Sequence, residues 1–235
     1  MPTPDHMRAT LLALLGGHAP RRFSVLGRTG LALPFAGSGD RLDLVSERGV
    51  KVRGLLIGPA GVWRGLPAVL LCHAHGGRYE LGASEAIDGR PAMQTPPQAA
   101  ALAAAGIVSL CIDVDCFGER AADTESSLAK TELWHGRTLF GRMLADLRGA
   151  FALLRSLDGV DPGRVGVIGF SMGATQAFWL AALEPAVRAV AHIGSFADLA
   201  TLIGTGGHDR HNFYMMVPGL VNHIRTGEIA GLAAP

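Results

Sequence analysis

The stretch best equipped for chemistry is Gly169-Phe170-Ser171-Met172-Gly173, which reads G-x-S-x-G. The apolar run Val165 to Phe170 precedes the serine, and a helical run, Ala174 to Leu183, follows it. That context is a strand, a sharp turn and a helix. Glycines flank the serine at positions where a Cβ would strike the neighbouring strand or helix. The hydroxyl is then held above the sheet edge at the start of a helix, where the backbone N–H of Met172 can stabilise an oxyanion. Residues of these types at this spacing suit nucleophilic attack on a carbonyl. The competing reading is a glycine-rich strand-to-helix turn with an ordinary serine.

Two other segments end in polar loops. Pro67 to His73 is a continuous apolar strand of the buried, parallel type, and it runs into His73-Ala74-His75-Gly76-Gly77-Arg78. A glycine-rich loop at a strand end brings backbone N–H groups close to a ligand, so the second oxyanion donor is assigned to the N–H of Gly77, with Arg78 next in line. His73 and His75 are read as holding that loop by hydrogen bonds. Their spacing could suit a metal pair, but no Cys, Asp or Glu completes a site, so neither a metal nor a cofactor is expected. The strand Ile107 to Ile112 leads into Asp113-Val114-Asp115-Cys116-Phe117-Gly118-Glu119-Arg120. In an open α/β sheet that end faces the ligand crevice. Asp113, Asp115, Glu119 and Arg120 therefore either shape the site or form an internal ion pair that fixes the loop.

The elements that would position these residues follow from periodicity. Ala9 to Leu15 is too short an apolar run for a secretory leader and reads as an N-terminal helix ended by Gly16-Gly17. Ser24 to Gly39, rich in glycine and proline, reads as irregular. Residues 1–39 are thus a lead-in to a single domain over 40–235. Arg41 to Ser46 and Val50 to Ile57 read as an antiparallel edge pair. Thr95 is placed as the cap of an alanine-rich helix, with Gln98 closing a capping box. Ala121 to His135 reads as polar and irregular. Thr138 to Leu157 carries apolar residues at helical spacing and should cover the sheet. Val187 to Ile193 is the last strand, and Val217 to Ile229 holds a short helix. Strands alternate with helices from Pro67 onward, as in a doubly wound, mostly parallel α/β sheet.

Composition bounds the function. The chain has 235 residues, 49% hydrophobic and 17% charged, with a net charge of +1. That balance describes a globular chain with a sizeable core and gives no electrostatic reason to expect nucleic acid or an anionic membrane. No run approaches the length of a membrane-spanning helix. Cys72, Cys111 and Cys116 are odd in number and irregular in spacing, which points to a reducing, cytoplasmic setting; Cys116, in a loop, is the one with a route to exposure.

The chain resembles the α/β-hydrolase superfamily, and within it the dienelactone-hydrolase-like and acetyl-xylan-esterase-like branch. The resemblance rests on His73 to Gly77, on Asp113 to Arg120 in the form D-x-x-x-F-G-E-R, on Val160-Asp161-Pro162 leading to Gly169–Gly173, and on Tyr214 to Leu220. It implies hydrolysis of a small carboxylic ester through an acyl-enzyme. Dienelactone hydrolases use a cysteine nucleophile; Ser171 in that position fits an ester or acetyl-ester substrate better. Family members continue beyond the strand at Val187 to Ile193 with two further strands and a final helix, and their acid and histidine follow those strands. The sheet is therefore expected to be C-terminally incomplete. Asp198, His208 and His211, in the loop after the last strand, preserve the order Ser, Asp, His and are the candidates for an acid and a base within this sequence. Two consequences are expected: a serine without its base would be slow, and an open edge strand would favour self-association. The alternatives are a non-catalytic binding protein on the same scaffold and a fragment of a longer hydrolase.

Overall fold

A computed structural model describes residues 3–233. The sheet has seven strands: β1 (Phe23–Gly30), β2 (Ser38–Ser46), β3 (Lys51–Gly58), β4 (Leu66–Cys72), β5 (Val108–Ile112), β6 (Val160–Phe170) and β7 (Val190–Ile193), in the order β1-β2-β3-β5-β4-β6-β7. The contacts β1–β2, β2–β3 and β3–β5 are antiparallel; β5–β4, β4–β6 and β6–β7 are parallel. This is an α/β-hydrolase-type mixed sheet. Of its parallel strands, β4, β5 and β6 carry the buried apolar runs that the sequence displays.

Helices cover both faces. They are α1 (Pro4–Leu14), α2 (Glu85–Asp88), α3 (Gln98–Ala104), α4 (Glu125–Trp134), α5 (Leu139–Ser156), α6 (Met172–Leu183), α7 (Leu199–Gly204) and α8 (Thr226–Gly231). Because strand side chains alternate, neighbouring residues feed different cores. Leu56, Leu70, Leu110 and Val167 join the larger core under α5 and α6. Leu55, Ile57, Leu71 and Cys111 join a smaller one with Ala83, Ala86 and Ala99. Helix α5 starts where Thr138 accepts the Gly141 N–H at 2.9 Å, and its apolar stripe from Leu139 to Leu154 is buried.

Three expectations are corrected. Residues 23–30 are not irregular: they form β1, which pairs with β2 from Phe23↔Ser46 to Gly30↔Asp40, so the β2–β3 pair is not the edge. Most β1 side chains are exposed, so it lacks the apolar alternation that marks a half-buried strand. Residues 125–134 are helical, not irregular. Thr124 caps α4 by accepting the Ser127 N–H, and the ten residues after it contain neither glycine nor proline. Helix α3 begins at Gln98 with Pro97 at the cap position and no side-chain cap bond, so Thr95 does not cap it. At the other edge β7 is short, and its residues run from half-buried Val190 to exposed Ile193.

Candidate active site

Ser171 occupies the junction of β6 and α6 with φ 55° and ψ −117°. A non-glycine residue held there costs about 1–3 kcal/mol and persists only where its surroundings over-determine it. Here they do. The Ser171 N–H donates to Ile193 O at 2.9 Å, and its carbonyl accepts the Thr175 N–H at 3.1 Å. The flanking glycines are sterically required: a Cβ on Gly169 would overlap the Gly173 carbonyl, and one on Gly173 would overlap the Cys72 carbonyl at the end of β4. The elbow is thus wedged against the neighbouring strand. Met172 opens α6, so no preceding turn of helix supplies an acceptor for its N–H.

The loop after β4 is held from three sides. His73 is buried; its Nδ1 lies 3.2 Å from Ala74 O, its Nε2 accepts the Val114 N–H at 3.4 Å, and burial lowers its pKa. Glu85 accepts the Ala74 N–H at 2.8 Å and pairs with Arg90, which also donates to Ala74 O at 3.0 Å and His75 O at 3.3 Å. Gly77, with φ 69°, donates its N–H to His75 Nδ1 at 3.0 Å, and Arg78 donates its N–H to His75 O. Both histidines therefore hold the loop. The N–H expected to serve as the second oxyanion donor is engaged by His75.

Sequence reasoning missed what lies behind His75. Its Nε2 is 2.6 Å from Oε2 of Glu125, the first residue of α4. The buried Glu125 carboxylate also accepts the Tyr79 hydroxyl at 3.1 Å and the Tyr214 N–H at 2.7 Å. The side-chain amide of Asn212 reaches the same His75 nitrogen at 2.8 Å. Burial, then the Glu125 charge, pushes both Tyr79 and Tyr214 up to about 12. The one signal in the sequence was Thr124 as a helix cap.

The acidic loop after β5 is a structural ion-pair network. Asp113, fully buried, accepts Arg53 Nε at 2.9 Å and Nη2 at 3.0 Å, together with the N–H groups of Ala83 and Glu119. Asp115 pairs with Arg120 and Arg142, Arg120 reaches Asp146 at 2.6 Å, and Glu119 pairs with Arg41 at 2.8 Å. The Arg41 hydrogen bond holds Glu119 below the usual carboxylate range. Of the two readings of this tract, loop fixation describes the geometry. Cys116, with its route to exposure, is instead buried, and burial pushes its thiol up to about 12.

The later candidates are not brought together. Asp198 caps α7, accepting the Thr201 N–H and hydroxyl at 2.9 Å each, and the N–H bond lowers its pKa. His208 and His211 are exposed and border an apolar cavity of about 320 Å³ lined by Leu133, Leu199, Met215 and Met216. Among the described residues, no hydrogen bond joins either histidine to Ser171 or Asp198. No group of three or more His, Cys, Asp or Glu among them is placed to hold a metal ion. No described helix is long and apolar enough to cross a membrane.

The profile of the dienelactone hydrolase family matches residues 52–200. The candidate hydrolase YtaP of Bacillus subtilis (strain 168) is 40% identical over 169 residues, 72% of this chain and 56% of that protein. Among solved structures, a candidate acetyl xylan esterase from Bacteroides fragilis superposes with a TM-score of 0.78 at 13% identity, covering 99% of this chain and 65% of that one. Acetyl xylan esterase 1 from Thermoanaerobacterium sp. superposes with a TM-score of 0.61 at 18% identity, over 98% of this chain and 71% of that one. The chain belongs to the dienelactone hydrolase family and has the α/β-hydrolase fold. It spans little more than half the length of YtaP and just under two thirds of the Bacteroides protein.

Proposed function

We propose that the chain is a serine hydrolase acting on small carboxylic esters, with Ser171 as nucleophile. The observation that carries this reading is the strained Ser171 turn, wedged between two glycines that admit no side chain. Such strain in a partly accessible serine is retained where the chemistry uses it. Ser171 Oγ would attack the ester carbonyl while its proton passes to a base. The oxyanion would take the N–H of Met172 and a donor from the Gly76–Gly77 loop. Collapse expels the alcohol, and water then releases the acid from the acyl-serine. The names of the structural neighbours, acetyl xylan esterases among them, support an ester substrate. Asp198, His208 and His211 are the proposed acid and bases within the chain.

The test is p-nitrophenyl acetate turnover beside Ser171→Ala, then His208→Ala and His211→Ala. A Ser171-dependent rate that one of the histidine variants abolishes supports the reading; a rate equal to that of Ser171→Ala removes it for this chain. A second reading, a ligand-binding protein on a hydrolase scaffold, is favoured by one observation: no described histidine is hydrogen-bonded to Ser171. We also place the protein in the cytoplasm without nucleic-acid partners, and expect self-association through the open β7 edge.

A further inference from the structure

The buried polar cluster behind the loop after β4 has no place in the reaction as so far described. It joins three distant segments: the loop itself, the start of α4 and residues 212–214. A carboxylate can only accept hydrogen bonds. With Glu125 Oε2 at 2.6 Å, His75 Nε2 therefore carries the ring proton, and the amide of Asn212 must turn its oxygen to that nitrogen. Nδ1 is then a lone pair, and it is this lone pair that accepts the Gly77 N–H at 3.0 Å. Were the proton on Nδ1 instead, two donors would face each other across that distance.

We propose that Glu125 is a positioning residue for the oxyanion loop: it selects the His75 tautomer that grips the Gly77 N–H. Gly76 and Gly77 both have positive φ, so the backbone there has little intrinsic preference and takes its direction from such a grip. The His75 bond fixes the course of the loop before substrate arrives; it occupies the Gly77 N–H itself, so the loop's donor to the oxyanion, beside the Met172 N–H, is the neighbouring Gly76 N–H. The proposal rests on the ester-hydrolase reading for its catalytic consequence, though not for the tautomer. Glu125 touches no reacting atom. It acts through His75, as outer-shell carboxylates do on ligating histidines. Its carboxylate is held in place by the Tyr79 hydroxyl on the oxygen that faces His75 and by the Tyr214 N–H on the other.

Glu125→Gln tests this with almost no change of shape. The Gln oxygen can still accept the Tyr214 N–H, while its NH₂ faces His75 and donates, forcing the ring proton to Nδ1. Imidazole ¹⁵N spectra of the histidine-labelled chain, with His75 assigned by its loss in His75→Asn, read the tautomer directly. The expected result is a protonated Nε2 in the wild type, the reverse in Glu125→Gln, a shifted Gly77 amide resonance, and the wild-type pattern restored in Glu125→Asp. Turnover of p-nitrophenyl acetate should fall roughly 10–100-fold in kcat, less than outright loss of an oxyanion donor, with KM within about threefold. An unchanged tautomer in Glu125→Gln would overturn the proposal. So would a reversed tautomer with kcat unchanged or raised, the latter meaning that His75 withholds the Gly77 donor. If the wild type shows no Ser171-dependent turnover, the ester reading fails separately, and the tautomer and the Gly77 resonance alone decide whether Glu125 controls the loop.

Discussion

The two sides of the elbow are built differently. Toward β4 and β5 every loop is locked by buried charge: Asp113 by Arg53 and two backbone N–H groups, Glu85 by Arg90, Glu125 by His75 and two tyrosine donors. Toward β7 the chain is held mainly by backbone bonds and small helices, and apolar groups face outward. Ile193 and Phe196 are 41% and 55% exposed, and Phe196 meets the core only at its margin, edge-on to the buried Phe178 and tilted against the exposed His192. Ser171 sits on the seam, its N–H tied to Ile193 on the loose side and its flanking glycine pressed on Cys72 on the rigid side. The rigid half thus holds the loop proposed to serve the oxyanion, whereas the proposed acid and bases lie in the loose half, with no described hydrogen bond to the nucleophile.

Variants should separate the halves. The largest effect is expected from Asp113→Ala, which strips the half-buried Arg53 of its bidentate partner and leaves the Ala83 and Glu119 N–H groups without their acceptor; urea unfolding should show a loss of about 3–5 kcal/mol. Gly173→Ala forces a Cβ into the Cys72 carbonyl and should cost about 3 kcal/mol, the upper range for overpacking, with Ser171 reactivity lost as the turn shifts. A smaller effect concerns pH. Burial lowers the His73 pKa, so below about 6.5 the unfolded chain takes up a proton that the folded chain refuses. Stability should therefore fall as pH drops through the unfolded value, at up to about 1.4 kcal/mol per pH unit, until the folded pKa is reached. Unfolding curves of His73→Gln at pH 5 and 7 should show part of that slope removed. The smallest effect belongs to the loose side. Phe196→Ser should change stability by no more than about 0.5 kcal/mol, yet reduce concentration-dependent association in sedimentation velocity.

The same contrast explains what could be read from residues alone. The central strands were legible because burial on both faces leaves nearly continuous apolar runs, as in Val108–Ile112, broken only by Ser109, and Val165–Phe170. The elbow was legible because two glycines around a serine between a strand and a helix have a steric cause. Helix α4 was not, because its inward face is polar: Glu125 meets His75, and Glu132 meets Arg137 and Arg142, so no apolar stripe marks it. Strand β1 hid for the opposite reason, being mostly exposed and interrupted by Gly27 at a register shift. The acidic tract Asp113 to Arg120 marked an important loop, but only the geometry separated a scaffold ion pair from a reactive carboxylate.

The most direct test of the central claim is fluorophosphonate labelling of the native chain, with the adduct mapped by mass spectrometry. An activated Ser171 predicts one adduct, on Ser171, lost on unfolding in urea and absent from Ser171→Ala. No adduct on Ser171 in the native chain, or equal labelling before and after unfolding, would contradict the account, because the turn would then hold a serine that the fold does not activate.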